Sequence, residues 1–564
     1  MNGRSAQRLR ALDHLAAALG ILAFVMLTLR YGFPHWPIPR FVLFAWTALL
    51  PIGFFLEAMY RLLWVDDPWR YLARHPLRYL LLLMIVLELS NVAAWSSEQT
   101  LAGASAARIA SELYLAVFLF GFAGSWAKGA ILANRWLANR RVPVLALPAI
   151  TFAVAIVAGS LLLSLPGLQQ RPLSWLDNLF TAASALCVTG LTVYDVATSL
   201  NPLGQAMLAL LIQIGGLGTL TILGMLALWH GGSLTLGERA AFSELVGGAQ
   251  QHETKKLLGT VLRVTLLIEA FGALGFWLLW RDRLEHPLLQ GVFHAISAFC
   301  NAGFVLFRDS FAGFREDPAT LVMVMLLIIA GGAGFPVIAN LAQAGSSRLV
   351  PWQENRPLLP ASRVVLYWSG GLIALGALLF LIDGWLHGEP RNLLTAVFQS
   401  VTARTAGFQI ESQLRFGLTG LLGTILLMII GASPQSTGGG VKTAVLARLV
   451  QRLDPRDERQ SSQWFITFKP FRLALLLIGL YALTGLGAAF LLLATEARPL
   501  ADVMFESFSA LGTVGLTRDL TPALSAAGKG IVIALMFTGR VLYPTLVIWM
   551  IRGRRDCADP VPWA

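Results

Sequence analysis

Long apolar runs separated by short basic loops cover most of the 564-residue chain. Four of these runs fall in the first quarter, at about 14–29, 41–60, 79–95 and 113–132, near the length that crosses a bilayer as a helix. From residue 143 the pattern becomes a unit: an apolar helix, a short amphipathic helix, a Thr/Gly-rich stretch and a second apolar helix. The chain writes this unit four times. The first helices are expected at about 144–165, 257–280, 364–382 and 471–494, and the second at about 203–229, 319–342, 417–450 and 529–551. Continuous apolar runs of this size with so few charges read as spans.

The Thr/Gly-rich stretches share one rule, Phe-x3-[Ser/Thr]-Ala followed shortly by Gly-[Leu/Phe]. The phenylalanines are Phe180, Phe293, Phe398 and Phe505, and the glycines are Gly190, Gly303, Gly407 and Gly515. The glycines lie 113, 104 and 108 residues apart, and the third copy is one residue shorter before its glycine. No copy places a carboxylate or His between its Ser/Thr and its glycine. What the stretch offers is backbone carbonyls and one residue free to take positive φ. Non-helical backbone at membrane depth survives only where it lines a wet cavity or is buried in protein, so four such loops are expected to meet at one axis. Four sets of carbonyls there can replace the hydration shell of a monovalent cation. A single copy would be no more than a glycine turn capping a short helix. The expected fold is an all-α polytopic membrane protein, with four tandem helix–pore-helix–filter–helix repeats around a central pore and about four extra transmembrane helices before them. The divisions fall at 1–142 (accessory module), 143–235, 253–345, 362–452 and 468–555 (repeats), and 556–564 (tail).

Composition supports the membrane reading, with 56% hydrophobic and 13% charged residues against about 25% charged in soluble domains. The net charge of +12 does not indicate nucleic acid, because the basic residues collect in short loops on one side of the spans. Arg4, Arg8 and Arg10 precede the first span, the inter-repeat loops are basic, and Arg552, Arg554 and Arg555 follow the last. Both termini are therefore expected in the cytoplasm, with the filters facing outward. The first apolar run carries no cleavage site and is read as a span. Three cysteines give no disulfide framework.

Each second helix interrupts its apolar run at a similar depth, at Gly215-Gly216-Leu217-Gly218, Gly331-Gly332-Ala333-Gly334, Gly431-Ala432-Ser433-Pro434 and Gly539-Arg540. Close helix packing or a functional break would each account for the first two. The third continues through Gln435, Ser436, Thr437, Gly438, Gly439 and Gly440, which is too polar and flexible for a lipid-facing helix, and is expected to be an intramembrane gating loop. Its ending, Gly440-Val441-Lys442-Thr443, lacks a glycine directly before the lysine and a preceding strand, so it is not a phosphate-binding loop. Arg540, inside an apolar helix, is expected to face the pore and oppose cation passage. Asp195, Asp309, Glu411 and Asp519 each follow a filter glycine and could form an acidic outer vestibule that concentrates cations. The eight His and the intramembrane acids form no catalytic constellation, so no enzyme is expected.

Together the four filter motifs, the Gly/Ser-rich break and the arginine of the last helix resemble the Trk/Ktr/HKT superfamily of potassium transporters, over about residues 143–555. The resemblance implies that Val188, Thr189, Gly190 and Leu191, Asn301, Ala302, Gly303 and Phe304, Thr405, Ala406, Gly407 and Phe408, and Thr513, Val514, Gly515 and Leu516 coordinate K+. The transported ion would be the one metal involved, with no covalent cofactor. Gly431, Ser433, Ser436, Thr437, Gly438, Gly439, Gly440 and Lys442 would belong to the gate, with Arg540 as the constricting arginine. The family further implies a homodimer in the bacterial inner membrane, and a separate cytosolic regulatory subunit of the nucleotide-binding RCK/KTN type. Glycine at the filter position in all four copies points to K+; a Na+-permeable or H+/Na+-coupled symporter through the same pore is the alternative.

Overall fold

The computed structural model describes residues 147–218, 251–349, 358–433, 436–443 and 471–543, with five helical positions between 56 and 63. The accessory module expected at 1–142 otherwise lies outside the described residues. Contacts divide the chain into two units, and the larger holds the four repeats. The helices of that unit come in four successive groups. The first has α1 (Leu147–Leu163), the short α2 (Trp175–Leu186) and α3 (Pro202–Leu217). The second has α4 (Gln251–Trp280), α5 (Pro287–Phe299) and α6 (Pro318–Ala333), which α7 (Phe335–Leu349) continues. The third has α8 (Pro360–Leu386), α9 (Leu393–Ala403) and α10 (Leu418–Ile429). The fourth has α11 (Phe471–Thr495), α12 (Leu500–Gly512) and α13 (Ala526–Phe537).

Local chemistry starts these helices where they start. Ser174, Asn201, Asp317, Asn392 and Ser525 each accept a backbone N–H of the following first turn. Each such cap is worth about 1 kcal/mol. Pro202 and Pro318 sit in the first turn, where the missing N–H costs nothing. Packing is inverted relative to a soluble protein. The long first helices expose Leu266, Leu267, Phe271, Leu378, Leu483 and Phe490. The short helices instead bury Asn178, Ser184, Ser297, Gln399, Thr402, Glu506 and Ser509 completely. Helices Gly259–Trp280, Ser362–Leu386 and Leu475–Thr495 are each long and apolar enough to cross a membrane. Apolar residues outside and polar ones inside are what a bilayer demands.

The repeats close into a ring through polar joints between every neighbouring pair. Gln213 of α3 donates to Glu269 of α4 at 3.2 Å. Phe311 N–H donates to the Gln409 carbonyl at 2.8 Å, and Arg518 Nη1 to the Gln413 carbonyl at 2.8 Å. Lys529 at the start of α13 meets Asp177 in the first turn of α2 at 2.6 Å, joining the fourth repeat to the first across 352 residues.

The second helices, expected at about 203–229 and 319–342 with an interruption in each, stop or bend at those interruptions. Helix α3 ends at Gly218, whose φ is +81°, and α6 turns by 105° into α7 at Gly334, whose φ is +89°. A left-handed residue cannot continue the right-handed hydrogen-bond ladder, so the glycine ends the helix. The fourth break is milder, a π-helical turn over Thr538–Leu542. The remaining glycines have a common reason. A Cβ on Gly215, Gly331 or Gly539 would collide with the carbonyl oxygen of Leu186, Phe299 or Leu511, the equivalent residue at the end of each short helix. Close packing therefore accounts for them, and the surface they pack against supports the filter. Gly331→Ala is expected to lower the melting temperature of the detergent-purified protein by several degrees, since overpacking costs about 1–3 kcal/mol. An unchanged melting curve would remove this role.

Candidate functional site

The four Thr/Gly-rich stretches adopt one backbone conformation. Positive φ occurs at Val188 and Gly190 (57° and 92°), Asn301 and Gly303 (57° and 69°), Thr405 and Gly407 (69° and 80°), and Thr513 and Gly515 (49° and 97°). Four non-glycine residues in the left-handed region at one register mark strain retained for a purpose.

The Ser/Thr of the motif holds this conformation. The amides of Thr189, Ala302, Ala406 and Val514 donate to the carbonyls of Ser184, Ser297, Thr402 and Ser509 at 2.8 to 3.0 Å. The hydroxyls of Ser297, Thr402 and Ser509 donate to the carbonyls of Phe304, Phe408 and Leu516 at 2.6 to 2.7 Å. Ser184 Oγ instead accepts the Gly190 amide at 3.0 Å, as Ser509 Oγ accepts that of Gly515 at 3.2 Å. In a trans peptide the C=O points opposite to the N–H. With these amides bonded back toward the short helices, the carbonyls of Val188, Asn301, Thr405 and Thr513 face the other way. Those of Thr189, Ala406 and Val514 follow, because the glycine amides of their copies are likewise bonded back.

The other way is a shared centre. A Cβ built on Gly190 would stand 2.5 Å from the Ala302 oxygen, and one on Gly303 would stand 2.8 Å from that of Ala406. One on Gly407 would collide with the Val514 oxygen, and one on Gly515 with that of Thr189. Each glycine thus abuts the next copy in order, and the fourth returns to the first. Among the described residues, the buried hydroxyls of Thr189, Thr405 and Thr513 have no hydrogen-bond partner.

The polar break of the third repeat lies directly against this ring. A Cβ on Gly438 would meet the side chains of Thr405 and Asn301, and one on Gly439 those of Thr513 and the Gly512 carbonyl. The loop folds on itself through Gly431 N–H to Val441 O at 3.0 Å and Ala432 N–H to Gly439 O at 3.2 Å. Pro434 and Gln435 lie outside the described residues. Ser433 and Thr437 donate their amides to the carbonyls of Gly332 and Gly331, and Thr437 Oγ1 donates to the Phe299 carbonyl at 3.1 Å. Ser436 Oγ donates to Ser433 O at 2.6 Å. Three cations then fasten its carbonyls. Arg540 Nη1 donates to Thr437 O at 2.5 Å and Nη2 to Gly215 O at 2.7 Å; Lys442 Nζ donates to Gly438 O at 2.7 Å; Arg404 Nη2 donates to Gly431 O at 3.4 Å. Arg540 therefore bridges the third and first repeats from the fourth.

The acids after the filters are not alike. Asp309 and Asp519 are exposed. Asp195 caps a short helix over Val196–Ser199, accepting from Ala197 N–H at 2.9 Å. Glu411 is buried, paired with Arg391 at 2.9 Å and Arg315 at 3.5 Å, and Arg391 also holds Asp383 at 3.0 Å. The sequence could not show this, because Arg391 lies 20 positions away in another element. Two further residues escaped notice for the same reason: Arg404 as a fastening of the loop, and Glu269, buried beside Gln213 and near Cys300 behind the second filter stretch. Among the described residues no group of His, Cys, Asp and Glu could hold a metal ion.

Helices with apolar outer faces around a closed ring of re-entrant hairpins define a membrane-embedded transport protein. The chain belongs to the TrkH family, described as cation transport protein, which matches residues 122–359 and 389–553. It is therefore a transporter and not an enzyme. It is 35% identical over 422 residues to Ktr system potassium uptake protein B of Bacillus subtilis, covering 70% of this chain and 89% of that protein. It is 32% identical over 433 residues to the potassium/sodium uptake protein NtpJ of Enterococcus hirae, covering 72% and 93%. The crystal structure of the potassium transporter TrkH from Vibrio parahaemolyticus superposes with a TM-score of 0.56 at 18% identity, over 86% of this chain and 99% of that one, which shows a shared fold.

Proposed function

We propose that this chain takes up potassium through a pore whose narrowest part is the ring of four filter stretches. The observation that carries this reading is the closed glycine order, Gly190 to Gly303 to Gly407 to Gly515, with carbonyls turned away from their supporting helices. Such oxygens can stand in for the water around K+ at no cost of an intramembrane charge. The unpartnered hydroxyls of Thr405 and Thr513 at the first filter position suit a partly dehydrated cation. The C-terminal ends of α2, α5, α9 and α12 add the negative ends of their dipoles.

The loop with Gly438 and Gly439 under the ring is the gate, and Arg540 and Lys442 hold it shut. A homodimer in the plasma membrane and a cytosolic regulatory partner complete the proposal, in keeping with relatives named as parts of a Ktr system. A second reading, passage of Na+ as well, draws on the relative named for potassium and sodium uptake. Purified protein in liposomes, given K+, Rb+ or Na+ alone, separates the two. Uptake of K+ and Rb+ well above Na+ is expected; equal rates for K+ and Na+ would establish the second reading in place of the first.

A further inference from the structure

The residue immediately after each motif phenylalanine is polar and fully buried in every repeat: Thr181, His294, Gln399 and Glu506. Three of them reach the segment that leaves their own filter; the Thr181 hydroxyl is buried without a hydrogen-bond partner among the described residues. His294 Nε2 accepts the Leu306 amide at 3.2 Å while Nδ1 donates to the Gln290 carbonyl at 2.7 Å. Gln399 and Gln413 exchange amide hydrogen bonds of 2.8 and 3.3 Å. Glu506 accepts from the hydroxyls of Thr517, at 2.8 Å, and Thr521.

Buried polar side chains are hydrogen-bonded as a rule, so satisfaction alone would mean only stable packing. A buried polar residue at one register in all four repeats, hydrogen-bonded in three of them to the segment leaving the filter, asks for more. An apolar residue of similar volume would pack there without the desolvation cost that a buried carboxylate carries. The three tethers also differ in reach. Thr517 lies two residues beyond Gly515, closer to the filter than Leu306 or Gln413 are to their glycines. Thr517 further accepts the Gln409 side chain on its carbonyl at 3.4 Å, so the Glu506 tether also steadies the third copy.

We propose that His294, Gln399 and Glu506 form a second polar tier that positions the outer end of the filter, and that Glu506, through Thr517 and Thr521, sets selectivity for K+ over Na+. The proposal rests on the ring being the selectivity filter. Glu506 touches no ion; it is a positioning residue.

The test uses the full chain in liposomes, with Rb+ and Na+ uptake measured on the same preparation. Glu506→Leu is expected to lower the Rb+ to Na+ ratio by about fivefold to tenfold, the scale of one lost buried hydrogen bond. Glu506→Gln, which keeps an acceptor and the volume, restores most of the ratio, a rescue that packing alone would not require. Thr517→Val reproduces the leucine effect, and the double variant adds little to either single one. A wild-type ratio in folded, monodisperse Glu506→Leu protein overturns the proposal. If that variant does not fold, a wild-type ratio in Thr517→Val overturns it equally. Gly190→Ser serves as control: an unchanged ratio there removes the filter reading itself, whereas a changed ratio there beside unchanged Thr517→Val removes only the second tier.

Discussion

Replacing Arg540 with alanine is expected to raise basal Rb+ uptake into liposomes about tenfold or more. The guanidinium donates to Thr437 O in the loop and to Gly215 O in the first repeat, so one side chain fixes the gate against a different part of the ring. Hydrogen bonds from a charged group contribute about 1.5–3 kcal/mol each. If about 1.4 kcal/mol of that favours the closed loop over the open one, its loss shifts the population tenfold. Removing a positive charge from the ion path acts in the same direction. Arg540→Gln separates the two contributions, because it retains donors without the charge. Flux near wild type in that variant assigns the effect to the latch; flux as high as in Arg540→Ala assigns it to charge. Lower uptake in Arg540→Ala at normal yield would show that the arginine holds the fold together and not the gate.

Gly190→Ser is expected to cut selectivity for K+ over Na+ by about tenfold, with smaller loss of total flux; a buried coordinating group displaced from its place changes discrimination on this scale. The cause is geometric. Gly190 has φ of +92°, and its missing side chain leaves room for the Ala302 carbonyl of the next copy, 2.5 Å from where a Cβ would stand. A serine forces that oxygen aside and strains its own backbone. The same logic applies to Gly407 and Gly515, whose neighbours are the Val514 and Thr189 oxygens. Competitive uptake of Rb+ and Na+ measures the change, and a ratio equal to that of the unaltered protein would sink the filter assignment.

Much of this was legible in the chain. The four copies of Phe-x3-[Ser/Thr]-Ala predicted positive φ at their glycines, because a short motif repeated at long intervals reflects one local conformation; the left-handed residue two positions earlier in each copy was not legible, being Val, Asn or Thr. The polar run from Ser433 to Gly440 predicted an irregular loop, because it contradicts its apolar surroundings. Less was legible where a partner is distant. For the interruptions at Gly215–Gly218 and Gly331–Gly334 the sequence left close packing and a break equally open, and only the structure shows that Gly218 and Gly334 end or bend the helix. Glu411 looked like an open acid of the mouth and is buried against Arg391. The tier of His294, Gln399 and Glu506 sat in plain view at a variable position of the motif, but three different residue types give no pattern to recognise.

By itself the sequence determined the apolar helices and the positive φ of each filter glycine, because these depend on local stereochemistry and on apolar periods of a few residues. Only the tertiary structure decided the closed order of the four glycines, the seating of the loop beneath them and the side chains that fasten it. Those contacts join residues as far apart as Asp177 and Lys529, and hydrogen bonds between such distant groups leave no trace in spacing or composition.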